Sequence, residues 1–433
     1  PRGVVGASMG SPGTTITSLS ISNGDIFGFA CDPATGNVWV RQNAGAWING
    51  GDPVAGTSPT YTLPVGVDTF AFIYGREQYN YGIVNFGQQP YNYTPPVGFK
   101  GLHTGNLRDS TVYKGKNYFD VVTRLGNNTG QLVSGIGFQP DFVWSKVRST
   151  SGSHVLVDSV RGANKTLSTN NTNQESTGGT ITSFNKDGYG IDASQNANNY
   201  TYVDWLWRAG NSPVTNNAGS NGATISSTYS VNNLSKFSIV TYSGNNIANS
   251  KIAHGLGSKP DFMIIKNRTT GATGWPVYHS SQGVNNVPYL NDTTAFLTKT
   301  GIFNNTQPDS SVFAVGGNSI DGSALTNAQG NNYVAYCWSE VPGYSKFGSY
   351  QAIGSVDGNF VYCGFRPRFV AIKWVGGTGD WVIVDTARNF YNSYNDTTYN
   401  LFSNLPQNES YAAGSGIDLL SNGFKVRTTN YVE

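Results

Sequence analysis

The stretch GFQPDFVWSKVR, residues 137–148, returns as GSKPDFMIIKNR at 257–268 and as GFRPRFVAIKW at 364–374. In each copy a proline is followed six residues later by a lysine: Pro140 and Lys146, Pro260 and Lys266, Pro367 and Lys373. Such self-similarity marks a repeat architecture and sets the domain plan before any single motif is weighed. A second apolar segment follows each copy after a Gly/Ser/Thr turn. It reads HVLVDS from His154, WPVYHS from Trp275 and WVIVDT from Trp381, which places Asp158, His279 and Asp385 in register. Upstream, YFDVVTRLG, KFSIVTYSG and KFGSYQAIG open the three copies from Tyr118, Lys236 and Lys346. YVDWLW from Tyr202 and YVAYCW from Tyr333 close the first two. The third has NYVE at 430–433, where a closing strand is expected to begin, completed by further chain or by a neighbouring subunit.

Side chains alternate across a strand, so Phe142, Trp144 and Lys146 share one face and Val143, Ser145 and Val147 the other. Both faces are largely apolar, as in a strand inside a β-sandwich, with the lysine expected to reach outward along its apolar stem. Composition agrees. Charged residues are 12% of 433, aromatic residues 13%, and the chain holds 54 glycines but only 2 methionines. Such usage disfavours long helices and favours short strands joined by turns such as DGYG at 187 and SNGF at 421. The expected fold is all-β, a series of tandem β-sandwich modules. The expected plan is a first module over 1–110, then repeats over 111–210, 211–342 with a leading linker, and 343–433.

The balance of 27 basic and 25 acidic residues leaves a formal charge of +2, which gives no footprint for nucleic acid. No apolar run is long enough for a membrane helix, so no membrane insertion is expected. Cys31, Cys337 and Cys363 are odd in number, far apart and set among apolar neighbours, which reads as buried thiols.

Residues 24–102 do not match the repeat. The strand after Gly24-Asp25, then Trp39, the turn carrying Trp47 in AGAWINGGDP, and Asn85-Phe86-Gly87 before Pro90 occur in an order that resembles the C-terminal half of a SPRY domain, a β-sandwich recognition module. Its N-terminal half is barely represented in residues 1–23. Such a module followed by GFQPDFVWSK-type repeats resembles virion structural proteins of tailed bacteriophages, particularly of marine and cyanobacterial hosts. The resemblance is strongest in GFQPDFVWSK, DSVRGANKTL and HGLGSKPDFMIIKNR. It implies a place on the virion as a tail fibre, spike or capsid appendage, among other virion proteins and as a homo-oligomer, with a trimer favoured. It implies no known activity and carries over no binding residues.

Catalytic signals are sparse. His103, His154, His254 and His279 are scattered, without metal-protease spacing. The GxSxG string around Ser8 lacks the preceding strand that a nucleophile elbow needs. Asp141 and Asp261 are in register, but Arg368 replaces them in the third copy. The turn DGYGID at 187–192 is read as a plain β-turn rather than a Ca²⁺ loop. Asn-x-Ser/Thr sequons, among them Asn92, Asn127, Asn164, Asn233 and Asn408, follow from a composition rich in those residues. No enzyme activity, metal or cofactor is expected.

Sugar binding requires exposed aromatic faces in loops that also supply hydrogen-bonding groups. Trp47, Tyr79, Tyr81, Tyr391 and Tyr394 fit that description, while Trp275 and Trp381 sit on strands and read as core. Lys146 with Asp158 and Lys373 with Asp385 fall at matching distances from their turns, and Arg161 and Arg388 follow in register. Each Asp is expected to be held by the Lys or the Arg as a structural clasp, whereas Lys266 should meet no carboxylate, because His279 and Gln282 stand there. The expected function is a virion structural protein that adheres to host-surface glycan. A polysaccharide-depolymerising tail spike and a secreted lectin-like protein are the alternatives.

Overall fold

A computed structural model describes residues 22–32, 34–63, 84–86, 89–101, 110–210, 212–318, 320–389, 399–411 and 416–429. The chain divides into two compact units, Pro1–Arg108 and Asp109–Glu433. It is all-β with antiparallel sheets and no closed barrel. Among the described residues, helix is limited to Ala324–Asn327 and short 3-10 turns.

In the first unit, β1 (Phe27–Asp32), β2 (Asn37–Gln42) and β3 (Tyr61–Thr62) form one sheet. Gly36 closes the β1–β2 turn at φ +74°, where a Cβ would lie 2.1 Å from the Leu63 carbonyl oxygen, so only glycine fits. Trp39 is buried, donates from Nε1 to the Thr57 carbonyl at 2.8 Å and meets the Phe99 ring edge-on. Within residues 24–102, for which a SPRY-like β-sandwich is expected, the described residues supply a three-stranded sheet. Gly87 lies outside them.

The second unit is built from the repeats. The first contains β4 (Phe119–Leu125), β5 (Gln131–Ser134), β6 (Phe142–Val147), β7 (Val155–Asp158), β8 (Lys165–Thr166), β9 (Ser176–Thr177), β10 (Ile181–Asn185), β11 (Gly188–Ile191) and β12 (Thr201–Trp207). The second runs through β13 (Val214–Asn216), β14 (Ser227–Asn232), β15 (Phe237–Ser243), β16 (Ser250–Ala253), β17 (Phe262–Asn267), β18 (Val277–His279), β19 (Asn286–Val287), β20 (Leu297–Thr298), β21 (Val312–Val315) and β22 (Asn332–Trp338). The third holds β23 (Phe360–Tyr362), β24 (Phe369–Ile372), β25 (Val382–Asp385), β26 (Tyr399–Phe402), β27 (Ser410–Tyr411), β28 (Gly416–Leu420) and β29 (Gly423–Arg427).

The main sheets follow one plan. The opening and closing strands pair, the closing strand pairs with the proline-to-lysine strand, and that strand pairs with the next, giving β4-β12-β6-β7 and β15-β22-β17-β18. Register is shared as well: Phe142 faces Asp158, Phe262 faces His279 and Phe369 faces Asp385. In the third repeat β24 pairs with β25 and with no other described strand, and the stretch 346–354 that should open the sheet is not a strand. The expected start of a closing strand at 430–433 lies outside the described residues.

The two apolar faces of each main sheet have different partners. One face packs on a second sheet of its own repeat: Val143, Val157 and Leu206 join Ile181, Tyr189 and Ile191 in the first, and Met263, Ile265 and Ala335 join Ile252, Phe313 and Val315 in the second. Val382 and Val384 join Ile417, Leu419 and Val426 in the third. The opposite faces meet in one common core, where Phe142, Trp144 and Trp205 pack with Ile264, Trp275 and Tyr336 and with Trp381, Ile383 and Leu401. The repeats each keep their own pair of packed sheets and are interlocked through the shared core. A sheet buried on both faces needs near-continuous apolar strands, which accounts for FVWSKV and FMIIKN.

Candidate functional site

The recurring polar residues gather where the repeats meet. Lys146 and Lys266 are fully buried, so the expectation that they reach outward is corrected. The Nζ of Lys146 donates to the carbonyls of Val147 at 2.8 Å and Pro406 at 3.3 Å. That of Lys266 donates to the carbonyls of Thr172 at 3.0 Å and Thr273 at 2.6 Å, and that of Lys373 to Thr293 at 2.9 Å and Gly379 at 2.6 Å. One acceptor in each set belongs to another repeat. The first repeat reaches into the third, the second into the first and the third into the second, which closes a ring.

The residue that starts the following strand repeats this pattern. His154 Nε2 bonds the Phe402 carbonyl at 2.9 Å, Trp275 Nε1 donates to Asn171 at 3.0 Å and Trp381 Nε1 to Tyr289 at 2.9 Å. His154 Nδ1 accepts from the Trp144 indole N–H at 2.8 Å, so its proton resides on Nε2, the nitrogen that faces a carbonyl. Burial, with Lys146 nearby, holds His154 down to about 3. Burial likewise lowers Lys146 and Lys266 to about 8.

Two of the three seams carry a clasp. Asp158 is buried; its Oδ1 accepts the backbone N–H groups of Val160 and Arg161, and its Oδ2 accepts from Arg161 Nε and from the Tyr336 hydroxyl of the second repeat at 2.8 Å. Asp385 does the same with Ala387, Arg388 (Nε at 2.6 Å) and the Trp205 indole of the first repeat at 3.0 Å. The arginine therefore holds each carboxylate. Lys146 and Lys373, the other expected partners, bind carbonyls instead. A carboxylate outside the clasp extends each network: Glu175 joins Arg161 to Arg268, and Glu409 joins Arg388 to Arg148.

At the third seam all of these groups change together. His279 stands for the Asp and keeps one of its duties, since its Nδ1 accepts from the Ser281 backbone N–H at 3.2 Å and hydroxyl at 2.9 Å. Gln282 and Val375 stand where the arginines would be. The third repeat delivers Phe347, which stacks on Phe262 at 5.8 Å and meets the His279 ring edge-on. Lys266 meets carbonyls and the Thr273 hydroxyl rather than a carboxylate.

A family model described as Domain of unknown function (DUF7483) matches residues 114–433. The chain belongs to this family. No curated protein and no solved structure matches it. The DUF7483 region thus spans all three repeats and all three seams.

Other polar residues of this region also face internal partners. Asp204 is buried in β12 and accepts from Arg124 Nε at 2.7 Å and the Tyr189 hydroxyl at 2.6 Å, an arrangement without an equivalent in β22, where Ala335 occupies the position. Asp141 accepts the backbone N–H of Ala209, and Asp261 that of Glu340, just past each closing strand. Arg368, in register with them, turns to Asp120 of the first repeat. His254 is buried against the Asp309 carbonyl and held down to about 4 by that burial. The turn at 186–187 joins β10 to β11, so most of the 187–192 stretch is strand rather than the β-turn expected for it, and Asp187 accepts from the N–H groups of Gly135 and Gly137. Among the described residues no group of three His, Cys, Asp or Glu side chains gathers as metal ligands would. Cys337 is buried as expected, Cys363 is half-buried, and Cys31 is exposed, which corrects the expectation for that thiol.

Of the aromatic residues read as sugar contacts, Trp47 is half-buried with the Arg41 guanidinium 4.8 Å over its ring. Tyr79, Tyr81, Tyr391 and Tyr394 lie outside the described residues, as do Ser8 and His103. Trp275 and Trp381 are core, as read. Several exposed aromatic residues escaped the sequence reading, Tyr113 and Tyr362 among them, as did Trp374, 47% exposed at the end of the third proline-to-lysine stretch. Its neighbours Gly376, Gly377 and Gly379 were the available signal.

Proposed function

We propose that the protein is a structural component of a tailed-phage particle, of the tail-fibre or appendage type, that adheres to host-surface glycan without catalysing a reaction on it. The observation that carries this reading is the use made of the recurring ionisable residues. Asp158, Asp385, Arg161, Arg388 and the three lysines are directed at partners inside the ring, where they fix the repeats to one another. A glycosidase needs an acid and a base or nucleophile facing substrate across a cleft. The carboxylates that recur here face arginine, indole and phenol. An interlocked ring is a rigid platform, and several such platforms on one particle would add weak contacts through effective concentration.

Immunogold labelling of purified virions together with an adsorption assay tests the reading. Label on a discrete appendage, and competition by the purified protein for adsorption to host cells, is the expected result. Label absent from particles would overturn it. Release of reducing ends from host polysaccharide by the wild-type protein, lost in Asp158→Asn without loss of stability, would replace it with the depolymerising tail spike.

A further inference from the structure

We propose that the buried quartet Arg124, Ser145, Tyr189 and Asp204 is a strand-pairing selector, which makes the closing strand of the first repeat join its own opening strand and not that of the second. The quartet sits between the two sheets of the first repeat. Asp204 Oδ2 accepts from Arg124 Nε at 2.7 Å and from the Tyr189 hydroxyl at 2.6 Å, and Arg124 Nη2 reaches the Ser145 hydroxyl at 3.4 Å. The guanidinium lies 4.1 Å from the centre of the Tyr202 ring.

Strand register gives each member a counterpart in the second repeat. Arg124 faces Tyr202 as Tyr242 faces Tyr333, Asp204 faces Ser145 as Ala335 faces Ile265, and Tyr189 faces Val133 as Phe313 faces Ile252. The second repeat therefore fills the same space with Tyr242, Ile265, Phe313 and Ala335, and Tyr242 stacks on Tyr333 where Arg124 covers Tyr202. The same sheet plan is built without the polar set. Stability does not explain it either: Asp204 Oδ1 is buried and accepts no hydrogen bond among the described residues, and a buried ion pair commonly gains nothing over a well-packed apolar set.

Discrimination does explain it. The closing strands YVDWLW from Tyr202 and YVAYCW from Tyr333 share Tyr, Val and the final Trp, and the opening strands share Phe119 with Phe237 and Val122-Thr123 with Val240-Thr241. Their apolar pattern does not tell one partner from the other. Chain connectivity favours the error, because residues 208–236 separate β12 from β15 while the longer stretch 126–200 separates β12 from β4. Shorter loops cost less entropy to close, and near contacts form first. Paired with β15, Asp204 would meet Tyr242, Ile265 and Phe313 in place of its three donors, and Arg124 would be left without a carboxylate. A buried charge without its partner is strongly destabilising, so the wrong pair is rejected and the right one kept.

The test follows refolding of the full chain from urea in the presence of an oxidant. Ser238 faces Cys337 across β15 and β22, and Leu206 is the residue of β12 in register with Cys337. With Leu206→Cys, Ser238→Cys, Cys31→Ser and Cys363→Ser, correct pairing joins position 238 to 337, whereas β12 on β15 joins 206 to 238. The apolar variant adds Arg124→Tyr, Ser145→Ile, Tyr189→Phe and Asp204→Ala. The exchanged variant further adds Tyr242→Arg, Ile265→Ser, Phe313→Tyr and Ala335→Asp, which moves the polar set to the second repeat. The 206–238 disulfide is expected to rise threefold or more in the apolar variant and to fall back in the exchanged one. The four apolar substitutions alone, in the otherwise wild-type chain, should leave the urea midpoint unchanged or raised. A 206–238 fraction that the apolar set does not change, or that stays high after the exchange, overturns the selector. An apolar variant that fails to fold or has a lowered midpoint overturns it too, and makes the quartet a plain source of stability.

Discussion

The two clasped seams and the third seam solve one packing problem with different chemistry. At Asp158 and Asp385 a carboxylate collects two turn N–H groups, an arginine and an aromatic donor sent from the next repeat. At His279 an imidazole nitrogen takes the turn contacts alone, and Phe347 fills the place of the aromatic donor by stacking. A buried carboxylate is tolerable only when its lone pairs are occupied, so losing the arginine requires losing the acid as well. The joint change of Asp to His, Arg to Gln at 282 and Arg to Val at 375 obeys that rule. The seams form a linked set of polar groups in which one member does not change alone.

The sharpest way to break the comparison is to remove one carboxylate. Asp158→Asn and Asp385→Asn each leave a buried arginine short of its partner and should each cost about 3 kcal/mol in urea denaturation. Equal stability in either variant would remove the clasp from the account.

Acid should separate the seams next. His154 is neutral in the folded chain and held down to about 3, against about 6.5 when unfolded, so the unfolded state binds more protons below pH 6.5. Its contribution is complete above pH 6.5 and is lost as pH falls toward 3, by about 2–3 kcal/mol at pH 4.5. Protonation would place a second N–H against the Trp144 indole N–H. A pH series on wild type and His154→Gln should show a shallower acid limb in the variant, with the part due to His254 remaining. Parallel limbs would contradict this.

Smaller effects belong to the outer carboxylates. Glu175→Gln and Glu409→Gln remove bridges with partial solvent access and should cost about 1–2 kcal/mol, less at high salt. His279→Asn, at the third seam, should cost about 1 kcal/mol, because its ring packing is lost while a turn cap can still form. A loss at His279 as large as at Asp385 would mean that the two kinds of seam are energetically alike.

Much of this was legible in the chain. The proline-to-lysine stretches and the strands after them can be aligned by eye, and the clasp is legible because Asp158 with Arg161 and Asp385 with Arg388 stand in register, each arginine three positions after its acid. The lysine partners were not legible. Lys146 bonds a carbonyl at Pro406, and every residue has a carbonyl, so the acceptor leaves no mark in sequence. The common core was hidden for a related reason: apolar residues on both faces of a strand look the same whether the second face meets its own sandwich or two other repeats. The exposed aromatic residues were missed because exposure depends on which strands cover a residue, a property of pairing and not of residue type.

The central claim is that the three repeats form one interlocked ring. Hydrogen exchange followed by mass spectrometry across a urea series tests it most directly, by tracking the amides of Phe142–Val147, Phe262–Asn267 and Phe369–Ile372 in the full chain. A common core and closed seams predict that all three lose protection together, in one cooperative opening. Loss at three separate urea concentrations, as for independent modules in series, would contradict the ring.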